Sequence, residues 1–176
     1  MLKEDSELVK KKVRTKIKRN WKNLRYGIRK FILYTIFIKA RNYRFLDGKK
    51  RWLKQSVKDM KSAKDSSDSG HYEWACFQSQ QAAEKALKAF LYSKGLRAIL
   101  THSVRDLILK CSEYEIDFKS LVEEGKFLDA FYISTRYPNV LVGESIPADY
   151  YTEEDAEKCI SYAESILEKV KKFMKN

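Results

Sequence analysis

The chain has 176 residues, and its 36 Lys and Arg against 24 Asp and Glu give a formal charge of +12. With 44% hydrophobic residues it has enough apolar side chains for a core, which excludes a wholly disordered protein. Only 6 glycines and 2 prolines occur, too few for the many tight turns of a β-sandwich or barrel, so the composition favours a mostly helical protein.

The positive charge is concentrated in the first third of the chain. Residues 1–51 hold 18 Lys and Arg against 4 Asp and Glu, whereas residues 52–176 hold 18 against 20. We therefore predict a basic extension over residues 1–48 and a separate domain over residues 49–176. A segment of this charge density is typical of a surface for an anionic partner such as nucleic acid or lipid headgroups.

The basic extension is predicted to be an amphipathic helix, because apolar residues recur in steps of three and four from Val9 to Ile38. The opposite side carries the cations that we assign to a nucleic-acid-binding arm: Lys18, Arg19, Lys22, Arg25 and Arg29. The longest apolar run, eight residues from Phe31, is far shorter than the roughly 20 that a transmembrane helix needs. Asp47-Gly48 predicts a turn at the end of the extension.

The second domain is predicted to be an all-α bundle. Apolar periodicity predicts helices over about residues 49–64, 72–94, 104–111, 121–136 and 152–174. Gly95 follows the central helix as a stop signal. Two variant capping boxes predict helix starts, Ser103 with Asp106 and Thr152 with Asp155.

The central helix is apolar on a second side, where Trp74 and Phe77 lie one turn apart. Two exposed aromatic rings would form a patch that monomers seldom tolerate. We therefore predict a homodimer in which Trp74 and Phe77 are covered by protein.

The sequence lacks the motifs of the common enzyme classes: phosphate-binding GxGxxG and Walker loops, HExxH, GxSxG and CxxC. Cys76, Cys111 and Cys159 are too few and too far apart for a disulfide framework or a zinc site, and their positions on apolar helix faces predict buried, inert thiols. The sequence predicts a cytoplasmic protein with no metal and no cofactor.

The most specific group of polar residues is Asp129, Tyr132 and Arg136, at i, i+3 and i+7 on one face of the fourth helix. Arg136 would offer a planar fork of N–H donors to a phosphate, oriented by Asp129, with Tyr132 and Tyr137 available for stacking. A purely structural Arg–Asp pair remains the alternative. On the central helix, Gln81 and Lys85 line up and are assigned to the same ligand-binding group.

Four ordered motifs resemble the HEPN domain over about residues 50–176. They are HYEWACFQSQQAAEKALKA from His71, Thr101-His102-Ser103, LDAFYISTRYP from Leu128, and YTEEDA from Tyr151. The resemblance implies an up-and-down antiparallel helical bundle, a homodimer and nucleotide binding. It also implies a prokaryotic minimal nucleotidyltransferase as partner, in a two-gene pair that behaves as a toxin–antitoxin module.

Many proteins of the HEPN family are metal-independent ribonucleases with an Arg and a His separated by four to six residues. Arg136 matches the arginine, but the positions for the histidine hold Leu141, Val142 and Gly143. We therefore expect a nucleotide- or RNA-binding module without catalysis. One alternative is a divergent ribonuclease in which His102 transfers the proton. The other is an adaptor held at a membrane surface by the N-terminal helix.

Overall fold

The computed structural model describes residues 26–96 and 98–175, with the backbone alone for residues 26–32 and 36–47. The chain divides into two units, residues 1–44 and 45–176. The helices are α1 (Tyr26–Asp68), α2 (Tyr72–Ser93), α3 (Val104–Ser112), α4 (Val122–Asp129), α5 (Pro147–Tyr150) and α6 (Glu153–Met174), with 3-10 segments over Ile116–Leu121 and Pro138–Val140. These residues contain no strand, and the predicted all-α bundle of up-and-down antiparallel helices is confirmed.

In the first unit, residues 26–44 belong to α1, and the side chains of Leu33 and Tyr34 are exposed. The arm residues Lys18, Arg19, Lys22 and Arg25 lie outside the described residues, as does the side chain of Arg29. Within the two described stretches, no helix is apolar over a length that would span a bilayer.

The turn predicted at Asp47-Gly48 is wrong, because α1 includes both residues. A glycine inside a helix costs only about 0.5–1 kcal/mol relative to alanine, which does not end a helix by itself. Gly48 is also not among the described glycines with a positive φ angle, so its backbone does not require a turn. The predicted domain boundary between residues 48 and 49 stays a prediction.

The core of the second unit is centred on α2, which packs along α6 and also contacts α3 and α4. Alanines supply much of its buried surface and let the neighbouring helices approach closely. Larger side chains fill the core near the C-terminal end of α2, where the rings of Phe90, Phe118 and Phe173 lie 4.8–6.4 Å apart.

The predicted helix boundaries on either side of α2 and at the starts of α3 and α6 are confirmed. Gly70 and Gly95 have φ angles of 76° and 97°, a left-handed conformation that favours glycine. The Ser103 hydroxyl accepts the Asp106 N–H at 3.1 Å. Thr152 and Asp155 form a reciprocal capping box.

The fourth predicted helix is shorter than expected: α4 ends at Asp129, and residues 130–136 form successive turns. Polar side chains in this segment bond backbone carbonyls four residues earlier. Ser134 Oγ donates to Ala130 O at 2.6 Å, and Thr135 Oγ1 donates to Phe131 O at 2.7 Å. Bonds of this kind slightly destabilise a helix and often bend it, and the backbone N–H groups of Ala130, Phe131 and Tyr132 bond carbonyls three residues earlier, as in turns.

Candidate functional site

Arg136 ends the turn segment with its guanidinium group among three aromatic rings. Its Cζ lies 4.4 Å from the ring centroid of Phe77, 5.0 Å from that of Tyr132 and 5.2 Å from that of Tyr137. Its Nε and Nη2 both donate to Tyr132 O, at 3.0 and 2.5 Å. Cation–π attraction and these two hydrogen bonds hold the half-buried guanidinium in one orientation.

The turn segment, residues 130–136, is also fixed to the bundle through Thr135 and Ser134. Thr135 is buried, and the Tyr151 hydroxyl donates to Ser134 Oγ at 2.6 Å. Burial raises the pKa of Tyr151, so the phenol stays protonated and can keep donating at neutral pH. Tyr137 precedes Pro138 and adopts extended geometry at φ −126° and ψ 111°, and it is 49% exposed.

Asp129 does not bind Arg136, which corrects the sequence prediction. Its Oδ2 accepts the Ser103 hydroxyl at 2.6 Å, and its Oδ1 accepts the Val104 N–H at 2.6 Å. The carboxylate therefore satisfies orphan donors at the start of α3. Because the helix ends at Asp129, the i+7 spacing does not place Asp129 and Arg136 on one helical face.

His102 lies against Tyr132, one of the three aromatic rings around Arg136. Its ring stacks on Tyr132 with centroids 5.0 Å apart and an interplanar angle of 12°. Its Nδ1 is 3.2 Å from each carboxylate oxygen of Glu84, and 54% of its side chain is exposed. A carboxylate at Nδ1 fixes the ring orientation and leaves Nε2 available for another partner.

Glu84 is the centre of a polar network that the sequence did not reveal. Its side chain and that of Lys88 are each only 4% exposed, and Lys88 Nζ lies 2.8 Å from Glu84 Oε1. Gln81 Nε2 donates to Glu84 Oε2 at 3.2 Å and its Oε1 accepts from Lys85 Nζ at 2.8 Å. Lys85 also pairs with Asp59 of α1 at 2.8 Å.

The network shows where the predicted residues Gln81 and Lys85 lie: both bond within the bundle, and their role in ligand binding stays a prediction. Glu84 was missed because a Glu–Lys pair at i and i+4 is usually an exposed helix pair. The alanines on either side, Ala83 and Ala86, were the available signal of burial.

The two predicted dimer contacts differ in environment. Phe77 lies under the Arg136 guanidinium of its own chain, whereas Trp74 is 45% exposed and meets Phe77 edge-on at 6.1 Å. The contact between Phe77 and Arg136 was not expected from the sequence. The predicted homodimer stays a prediction.

Cys76, Cys111 and Cys159 are free and buried, as predicted. Burial raises the pKa of the Cys111 thiol. A hydrogen bond to Cys76, with burial as a further cause, raises the pKa of Cys159. Thiols with raised pKa values stay protonated and are poor nucleophiles. Among the residues that the structure describes, no three His, Cys, Asp or Glu side chains are grouped as metal ligands.

Comparison with known proteins decides the family. The family model of the HEPN domain matches residues 49–173. The chain belongs to the HEPN family. A curated relative, "Putative toxin MJ1304" of Methanocaldococcus jannaschii, is 32% identical over 133 residues, which cover 72% of this chain and 88% of the relative.

Two solved structures support the assignment of the HEPN fold. TT1696 from Thermus thermophilus is 38% identical, with a TM-score of 0.66 over 70% of this chain and 96% of that protein. ST0689, an archaeal HEPN homologue, is 39% identical, with a TM-score of 0.58 over 70% of this chain and 94% of that protein. The HEPN resemblance seen in the sequence is thereby confirmed.

Proposed function

We propose that this HEPN chain is a module that binds the phosphate of a nucleotide or an RNA at Arg136. In this proposal it is the non-catalytic partner of a minimal nucleotidyltransferase in a toxin–antitoxin-like pair. The observation that carries the proposal is the oriented guanidinium of Arg136 among Phe77, Tyr132 and Tyr137.

The guanidinium retains donors for a ligand. Arginine has five N–H donors, and two of those on Arg136 are directed at Tyr132 O. No acidic side chain among the described residues forms an ion pair with Arg136, so no carboxylate competes with a phosphate for the donors that do not bond Tyr132 O. A planar, oriented cation with free donors suits a phosphate group better than a flexible lysine would.

Tyr137 supplies a surface for a base next to the phosphate site. Its ring is half exposed and lies 5.2 Å from the Arg136 Cζ. Stacking of a base on such a ring is worth roughly 1–3 kcal/mol and tolerates any base. The combination supports a ligand that carries both a phosphate and a base.

The proposal is tested by titrating the full chain with AMP and with a short single-stranded RNA, using calorimetry. We expect Arg136→Ala to weaken binding of both ligands by roughly tenfold or more, because hydrogen bonds to a charged group contribute about 1.5–3 kcal/mol each. Arg136→Lys should recover only part of the affinity, since an ammonium group lacks the planar fork. The matched control is Lys110→Ala, which removes an exposed cation that pairs with Glu113. Equal affinities for wild type and Arg136→Ala would exclude the proposed site.

The proposed partner rests on the family. The HEPN resemblance implies a minimal nucleotidyltransferase, and one relative is named a putative toxin. If a nucleotidyltransferase gene lies beside the gene for this chain, the two proteins should copurify after coexpression with an affinity tag on one of them. An untagged nucleotidyltransferase that stays in the flow-through at micromolar concentration would argue against the pair.

A second candidate function is metal-independent ribonuclease activity, favoured by the contact between Glu84 and His102. Both His102 and Arg136 lie against the ring of Tyr132, and the two 5.0 Å steps limit their separation to about 10 Å. A histidine with its Nδ1 on a carboxylate and a cation nearby are the groups that 2′-hydroxyl attack on a phosphodiester needs.

Ribonuclease activity is tested by incubating a mixed-sequence RNA with the purified chain in EDTA at near-neutral pH. The binding-module proposal expects intact RNA. Cleavage by wild type that is lost in both His102→Ala and Arg136→Ala would establish the second candidate instead. The membrane-surface alternative depends on residues outside the described part of the chain, and sedimentation with anionic vesicles tests it.

A further inference from the structure

Three half-exposed rings are connected to the Arg136 guanidinium, Tyr137 directly and Trp74 and His102 each through one intervening ring, although a single nucleotide has only one base. Trp74 is 45% exposed, Tyr137 is 49% exposed, and 54% of the His102 side chain is exposed. We propose that the ligand of this site is a single-stranded RNA segment of about three nucleotides, one base for each ring, rather than a mononucleotide. This inference rests on the proposed function and specifies its ligand.

Each ring reaches the guanidinium through a short series of ring contacts. Tyr137 lies 5.2 Å from the Arg136 Cζ directly. His102 reaches it through Tyr132 in two steps of 5.0 Å. Trp74 reaches it through Phe77 in steps of 6.1 and 4.4 Å. No exposed ring is therefore more than about 11 Å from the Arg136 Cζ, and in this proposal one short strand contacts all three.

Two of these rings are supported from behind, as a stacking surface requires. Tyr132 covers one face of His102 at an interplanar angle of 12° and leaves the side chain half exposed. Phe77 meets Trp74 at 73°, edge to face. Held in this way, the rings lose little conformational entropy when a base stacks on them.

A polyanion suits this surface better than a second copy of the chain. Residues 52–176, which carry these rings, hold 18 Lys and Arg against 20 Asp and Glu, so the positive charge at this surface is that of the Arg136 guanidinium itself. A symmetric contact of two copies centred on Arg136 would bring the two arginines toward each other, whereas a phosphate group would pair with this cation. Charge complementarity therefore favours RNA as the occupant of Trp74.

The experiment measures the affinity of the full chain for AMP and for oligoadenylates of two, three and five nucleotides. Salt is held at about 0.5 M, where contacts of the basic extension with phosphates are largely lost and stacking persists. We expect affinity to rise with each nucleotide up to the trinucleotide and then to change little.

Two substitutions assign the bases to their rings. Trp74→Ala should weaken trinucleotide binding roughly 5- to 150-fold and leave AMP binding unchanged, whereas Trp74→Phe should retain most of the trinucleotide affinity. Tyr137→Ala should weaken both ligands, because Tyr137 is the exposed ring closest to the guanidinium. Trp74 and Tyr137 are both half exposed, so these variants should fold, and circular dichroism confirms it.

The outcomes separate this inference from the proposed function. If AMP binds as tightly as the trinucleotide, the three-base ligand is wrong and the phosphate site stands. If neither ligand binds, the proposed function and this inference both fail. If Trp74→Ala halves the mass in light scattering and leaves the trinucleotide affinity unchanged, a second copy covers Trp74 and the inference is overturned.

Discussion

The hydroxyl of Ser103 donates to the carboxylate of Asp129 at 2.6 Å, across 26 residues of sequence. Ser103 is also the N-cap of α3, since its Oγ accepts the Asp106 N–H. Asp129 thus acts through the cap residue and, at the same time, binds the Val104 N–H directly. One carboxylate at the end of α4 therefore holds the start of α3.

We predict that Asp129→Ala lowers the free energy of unfolding by about 1–3 kcal/mol, because the Val104 N–H and the Ser103 hydroxyl lose their acceptor. Urea denaturation followed by circular dichroism measures the change. Asp106→Ala is the control, since its carboxylate is exposed and contacts only Arg105 at 3.5 Å. A loss for Asp129→Ala no larger than for the control would contradict the capping role.

The sequence predicted features that depend on neighbouring residues and missed those that depend on distant ones. Gly95 and the capping pair of Thr152 and Asp155 act within one helical turn, so their local pattern was sufficient. The partner of Asp129 lies 26 residues away, and the burial of Glu84 depends on which helices cover it. No local periodicity carries that information.

The candidate site was also predicted only where its features depend on neighbouring residues. Arg136 and Tyr137, which directly precede Pro138, were identified from local chemistry. The contribution of Phe77 to the same site required the packing of α2 against the turn segment. The end of α4 at Asp129 was missed because apolar periodicity does not distinguish a helix from successive turns with backbone bonds three residues apart.

Gly125 of α4 lies against α3, and we predict that Gly125→Ala destabilises the protein by about 1–3 kcal/mol. A Cβ at Gly125 would lie 2.6 Å from Ile108 Cδ1 and 3.0 Å from the backbone nitrogen of Arg105. The backbone nitrogen cannot move without shifting α3. Thermal unfolding compares this variant with wild type.

Gly48→Ala is the matched helical substitution with the opposite expectation. A Cβ at Gly48 meets nothing within 4 Å, so alanine should stabilise by about 0.5–1 kcal/mol through its helix propensity. A stabilised Gly125→Ala variant would show that α3 and α4 have room to separate.

The buried pair of Glu84 and Lys88 predicts strong coupling between two substitutions. Glu84→Gln should cost about 3–5 kcal/mol, because it leaves the Lys88 ammonium buried without a counter-charge. The double variant Glu84→Gln/Lys88→Met should lose less than Glu84→Gln alone, since no charge remains buried. A double-mutant cycle in urea measures this coupling, and additive losses would rule it out.

The basic extension predicts salt-dependent RNA binding by the full chain. If Lys18, Arg19, Lys22, Arg25 and Arg29 all contact phosphates of a single strand, affinity should fall roughly 100-fold between about 50 and 200 mM salt. Replacing all five with glutamine should flatten this dependence and leave the fold unchanged. Filter binding over a salt series provides the measurement, and an unchanged slope would remove the arm from the interface.

The polar network on α2 also limits how the helices can slide past one another. A helix face rich in Ala82, Ala83, Ala86 and Ala89 is smooth, and small residues alone would tolerate a shift of one turn, about 5.4 Å. Such a shift would separate Lys85 from Asp59 and the Ser56 hydroxyl from Ala82 O, which it meets at 2.6 Å. Buried charges and hydroxyls make those misaligned states costly, so the polar groups select one register that the apolar surface would leave ambiguous.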